Sequence, residues 1–134
     1  MEYKKSYRGL ILWLLGYMAV SFSPILLPKG DGELMTRLIL AVTGVAIVGL
    51  MVIILRTESV YWINGVTFEQ AREAGSERRR AFAAAHVKPF ARFGVGYLLF
   101  SAIMHACGAS IWIDIAVFCV GLIVAAFSTI HVRL

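Results

Sequence analysis

His105 and Asp114 are the two side chains in the apolar stretch 93–130 that could bind or release a proton near neutral pH or hold a cation. A charge at the centre of a bilayer costs about 2.5–3.5 kcal/mol on insertion scales, so an ionisable group in such a run needs a physical reason to be there. A proton or cation site is one such reason. A structural polar pair is the other, and it is the expectation adopted. A hairpin turning at 107–110 would place His105 and Asp114 at similar depth near one surface, within reach directly or through water. Water at that depth would solvate the carboxylate, so Asp114→Asn should cost about 1 kcal/mol or less, the scale of one intramembrane hydrogen bond. A metal centre built from His105, Cys107 and Asp114 lacks a strong fourth ligand. No metal and no cofactor is therefore expected. The two cysteines, Cys107 and Cys119, form no C-x-x-C pair. Cys119 lies within an apolar run, where a thiol is usually buried and inert.

Arg78, Arg79 and Arg80 make the densest run of charge. They are a candidate cluster facing lipid or a partner, since anionic lipid attracts each nearby basic residue by about 1 kcal/mol. The alternative is a solvated run that only fixes topology. Phe68, Ala71, Phe82 and Ala85 add a modest apolar stripe that could rest on a membrane surface. Small residues recur four apart at Ala102 and Ala106, and again at Gly121 and Ala125. Such faces let helices approach closely in lipid, within one bundle or between copies. Motifs for enzymatic chemistry are missing: no Gly-rich phosphate loop, no H-E-x-x-H and no G-x-S-x-G. The expectation is a protein that is not an enzyme.

These residues are positioned by a chain that is mostly apolar. Hydrophobic residues make up 60% of the 134, and the mean hydropathy is +0.79. Segments 10–27 and 38–55 carry no charge. A bilayer core of about 30 Å takes roughly 20 apolar residues as a helix, and backbone groups in lipid must be bonded internally. Segment 93–130 is too long for one crossing. At about 1.5 Å per residue it would be nearly twice as long as that core is thick. It must turn back, and Cys107-Gly108-Ala109-Ser110 is its break signal. The expected fold is all-α: a single membrane domain, 1–134, forming a four-helix transmembrane bundle. Its spans are expected at about 7–27, 34–56, 89–106 and 111–132.

Between the second and third spans, 57–88 is expected to be a cytoplasmic helical segment. Thr67 and Gln70 fit a capping box, which should start a helix running to about Val87. Pro89 suits the first turn of the next helix. In the first span, Pro24 should kink or end the last turn, and Pro28 to Gly32 form a turn cluster. The small residues Ser21 and Ser23 resemble a signal-peptide cleavage site, but Pro24 directly after them disfavours cutting, so the segment reads as a retained helix.

The net charge is +5, yet the basic residues flank apolar runs instead of forming a patch, which argues against nucleic acid. Of the 13 Lys and Arg residues, all but Lys29 and Arg37 fall on one side of a four-span topology. The positive-inside rule makes that side the cytoplasm, with both termini on it. A cell (inner) membrane location follows.

The stretch Tyr61-Trp62-Ile63-Asn64-Gly65-Val66-Thr67-Phe68-Glu69-Gln70, lying between two spans and followed by a charged helix, resembles a group of small bacterial multi-pass membrane proteins of unknown function. In these an aromatic-Ile-x-Gly segment precedes a Thr-x-Glu helix start. This chain has Val66 and Gln70 where Tyr and Glu are expected. The resemblance carries no catalytic residues. Together with the residue reading, it points to a non-enzymatic accessory, immunity-like or partner-binding protein. The partners expected are the bilayer itself and a membrane protein or a second copy of the chain. A small oligomeric transporter or channel is the alternative.

Overall fold

The computed structural model describes residues 3–23, 31–63 and 65–134. The chain is all-helical, as the apolar runs require. Helix α1 spans Arg8–Phe22, α2 Gly32–Thr57, α3 Phe68–Glu73, α4 Gly75–Ala106 and α5 Ile111–Phe127, with a 3-10 turn at Val60–Trp62. Among the described residues, α2 is the one helix long and apolar enough to cross a membrane by length and composition, whereas α1 and α5 are apolar but shorter. The expected kink at Pro24 and most of the turn before α2 lie outside the described residues. Asp31 is described and caps α2, accepting a hydrogen bond from the Glu33 amide at 2.9 Å.

Helix α2 is the hub of the packing. It contacts α1 on one flank and α4 and α5 on the other. Glycine lets α2 and α4 approach closely. A Cβ built on Gly94 would stand 2.6 Å from Val48 Cγ2 and 3.6 Å from the Gly44 carbonyl. Tyr97 and Phe118 then fill the space beside Gly44, with their rings 4.9 Å apart and edge-on. Helix α1 has no buried residue. Two hydrogen bonds key it to α2 instead: Trp13 Nε1 donates to the Ala46 carbonyl at 3.0 Å, and the Tyr17 and Thr43 hydroxyls meet at 3.0 Å.

The expected boundary at Pro89 does not exist, because α4 is a single helix of 32 residues with Pro89 inside it. An interior proline costs about 3 kcal/mol. What outweighs it is one continuous buried stripe, Phe82, His86, Phe90, Gly94, Tyr97 and Ser101, at spacings of four and three across the proline. The break falls earlier, at Ala74–Gly75, where Gly75 takes a φ of +77° that glycine tolerates best. The capping box formed as expected. Thr67 Oγ1 accepts from the Gln70 amide at 3.2 Å, and Gln70 Oε1 accepts from the Thr67 amide at 2.9 Å.

The hairpin also turns where expected, and its chemistry is explicit. Gly108 has φ +65°. Its amide donates to the His105 carbonyl at 3.1 Å and the Ala109 amide to the Met104 carbonyl at 2.9 Å, the paired bonds of a Schellman ending. Ser110 then caps α5. Helix α5 stops at Phe127, short of the expected 132, because the next two hydroxyls fold back onto its last turn. Ser128 Oγ donates to the Ala125 carbonyl and Thr129 Oγ1 to the Ala126 carbonyl, both at 2.7 Å.

The helix ends fall into two groups. The hairpin end holds the start of α2 and the α4–α5 turn. The opposite end, called here the loop end, gathers the segment before α1, residues 58–82 and the tail after α5. A core cluster of Ile54, Val60, Tyr61, Ala71, Phe82 and Ala83 sits there, with Tyr3, Val132 and Leu134 packed against it.

Candidate functional site

At the hairpin end, Asp114 is fully buried and Arg37 is 5% exposed. Arg37 Nη1 donates to Asp114 Oδ2 at 2.5 Å, and Nη2 donates to the Ala109 carbonyl. The expected partner was His105, and this is corrected: His105 is exposed and makes no hydrogen bond to Asp114. The reason is geometric. His105 lies in the last turn of α4 on its outward face, whereas Asp114 shares the inward face of α5 with Ile111, Phe118 and Ala125. The expectation that water solvates Asp114 falls with it. Arg37 was missed because it reads as a span-flanking basic residue. The available signal was that an antiparallel arrangement puts the start of α2 level with the start of α5, so opposite charges fall at one depth.

The arginine cluster divides into three fates. Arg79 is 8% exposed, so it is not the lipid- or partner-facing residue expected. Its Nε and Nη2 grip Glu58 Oε2 at 3.0 and 2.8 Å, its Nη1 donates to the Ala71 carbonyl at 3.0 Å, and its guanidinium lies 4.0 Å above the Tyr3 ring. Arg80 is exposed and donates to Glu58 Oε1 at 2.7 Å. Arg78 is exposed and belongs to no ion pair among the described residues. Consecutive helical residues diverge by about 100°, so three in a row cannot share one environment.

Glu58 is thus the hub of the loop end. It ends α2 with φ +57°, a left-handed conformation uncommon outside glycine. A hydrogen bond from Ser76 at 2.6 Å, with Arg79 and Arg80, holds its carboxyl below the ordinary value of 4.5. Its carbonyl accepts the Tyr3 hydroxyl at 2.7 Å. Burial pushes the Tyr3 phenol up to about 12, so it stays a neutral donor. Nearby, the Tyr61 hydroxyl donates to the Ser6 carbonyl at 2.7 Å and accepts from the Ser6 amide at 2.8 Å. The sequence gave no sign of this clasp, since its partners are 55 residues apart.

Beside that hub, α2, α4 and the tail after α5 splay apart around a cavity of about 1020 Å³. Its floor is apolar, with Met51 and Ile54 from α2, Phe82 and Phe90 from α4, and Ile130 from the tail. Its polar lining includes Arg78, Arg133, Gln70 and Glu73. His86 also lines it and is 5% exposed. Its Nδ1 donates to the Phe82 carbonyl at 3.0 Å, which leaves Nε2 as the acceptor.

The expected helix-packing residues also divide. Ala125 is buried, and a Cβ on Gly121 would meet the Phe93 ring at 2.7 Å, so both serve packing inside the chain. Ala102 and Ala106 are exposed and pack no helix of this chain. Cys107 and Cys119 are free thiols and both exposed, which corrects the expectation of a buried Cys119. Among the described residues no group of three or more His, Cys, Asp and Glu side chains could hold a metal ion. No family model, curated protein or solved structure matches the chain.

Proposed function

We propose that this chain is a four-span inner-membrane protein with both termini and the 57–88 segment in the cytoplasm, and that its role is non-enzymatic: an accessory, immunity-like protein that binds a partner in the membrane. The two-ended grouping of helix termini supports the topology, since N-terminal segment, loop and tail meet at one end. The exposed apolar side chains of α1, α4 and α5, such as Leu12, Leu15, Leu99, Ile103 and Val124, form the kind of surface that hydrocarbon or a membrane partner covers. The observation that carries the functional reading is the closed Arg37–Asp114 pair. The one carboxylate inside the apolar runs is enclosed and neutralised, so it offers a proton or cation no place to bind.

The unburied helix α1 is the natural partner face. A photo-crosslinker at Leu15 should yield one discrete membrane-protein adduct in cells. Only diffuse lipid adducts, or proton or cation flux in proteoliposomes of the wild-type chain, would overturn this reading. Flux would promote the oligomeric transporter, for which the outward Ala102 and Ala106 offer a face between copies.

A further inference from the structure

We infer that the loop-end cavity is a binding site for an anionic phospholipid of the cytoplasmic leaflet, its phosphate held by Arg78 and Arg133 and an acyl chain laid on the apolar floor. Basic pockets between membrane helices on the cytoplasmic side suit anionic lipid head groups. This cavity has that form. Arg78 at the start of α4 and Arg133 in the tail both line it, both are exposed, and neither is in an ion pair among the described residues. They differ in this from Arg79 and Arg80, whose charge Glu58 already takes. Glu73 is the one acidic side chain in the lining, so the two arginines leave a net positive charge.

Below them the lining turns apolar, through Met51, Ile54, Phe82 and Phe90. At about 1020 Å³ the cavity is at the top of the usual range for a small-molecule site. Charge at the mouth and hydrocarbon beneath match a molecule with both parts. A soluble phosphate compound would leave the floor wet, and a neutral lipid would leave the arginines unused. Within the floor, His86 Nε2 is an acceptor that a head-group hydroxyl could satisfy.

The inference rests on the membrane placement proposed above, and the test is chosen to be blind to orientation. The purified full-length chain in zwitterionic micelles is titrated with phosphatidylglycerol, phosphatidylcholine or glycerol phosphate, and bound lipid is read by native mass spectrometry. Phosphatidylglycerol should bind and the other two should not. Each basic contact is worth about fivefold, so Arg78→Gln with Arg133→Gln should weaken binding roughly 25-fold. Arg72→Gln with Lys88→Gln removes the same charge from exposed positions outside the lining, and should leave binding unchanged. Equal binding of phosphatidylcholine, binding of glycerol phosphate alone, or equal loss in both double variants would overturn the site. Its failure would leave the crosslinking and topology tests standing, and theirs would leave this one.

Discussion

Arg37 and Asp114, 77 residues apart, close the hairpin end with an ion pair at 2.5 Å whose side chains are 6% and 0% exposed. The pair ties α2 to α5 where the Arg37 guanidinium also holds the Ala109 carbonyl of the turn. One arginine therefore joins a helix, its neighbour and the loop between two others.

Breaking the pair from one side should be costly. Asp114→Asn leaves a buried guanidinium without its counter-charge, for which about 3–5 kcal/mol is typical. That exceeds the cost of about 1 kcal/mol or less expected for a water-solvated Asp114. The check is thermal unfolding in detergent. Replacing both partners, Arg37→Met with Asp114→Leu, should recover most of the loss, because apolar groups need no partner there.

Glu58 should make stability depend on acid. Its carboxyl titrates below its ordinary value in the folded chain, mainly through the Ser76 hydrogen bond and then through Arg79 and Arg80. A depressed folded value means the contribution is present above the unfolded value of about 4.5 and is lost as pH falls through the folded one. Unfolding temperature followed from neutral pH into the acid range should drop for the wild type. Glu58→Gln should start lower and show a flatter dependence.

The glycine contact makes a paired prediction. Gly94→Ala puts a methyl group 2.6 Å from Val48 Cγ2, on a short β-branched side chain with little freedom to move. Overpacking of that kind costs about 1–3 kcal/mol. Gly96→Ala meets nothing within 4 Å and should be neutral or gain up to about 1 kcal/mol from helix propensity. Equal effects at the two positions in detergent melts would reject the close α2–α4 approach.

Topology can be read with a native reporter. Cys107 is exposed at the hairpin, and Glu77 is exposed near the start of α4. In a Cys119→Ala background, an impermeant maleimide added to intact cells should label Cys107. With Cys107 also replaced, Glu77→Cys should label only after the membrane is opened. Labelling of both from outside would reject the four-span orientation.

What could be read in advance followed local rules. The apolar runs, the Thr67–Gln70 box and the Gly108 turn each depend on residues close in sequence, and each formed. Pro89 misled because a local rule met a tertiary one: the stripe from Phe82 to Ser101 holds the helix through it. The arginine triplet promised that its members would diverge but not which would turn inward. That depended on where Glu58 and Tyr3 would lie. Arg37 was half legible, since pairing the helices antiparallel brings it level with Asp114.

The way α1 is held has a mechanical consequence. Its fixings are the Ser6 clasp on Tyr61, Trp13 on Ala46 and Tyr17 on Thr43, in line along one edge of the helix. A slip of one helical turn, about 5.4 Å, would break all three together, so sliding is resisted. Peeling breaks them one at a time and uncovers no buried side chain, since α1 has none. The helix behaves like a zip: stiff to shear, easy to open from its far end, and able to admit another helix beside α2 without dismantling the rest.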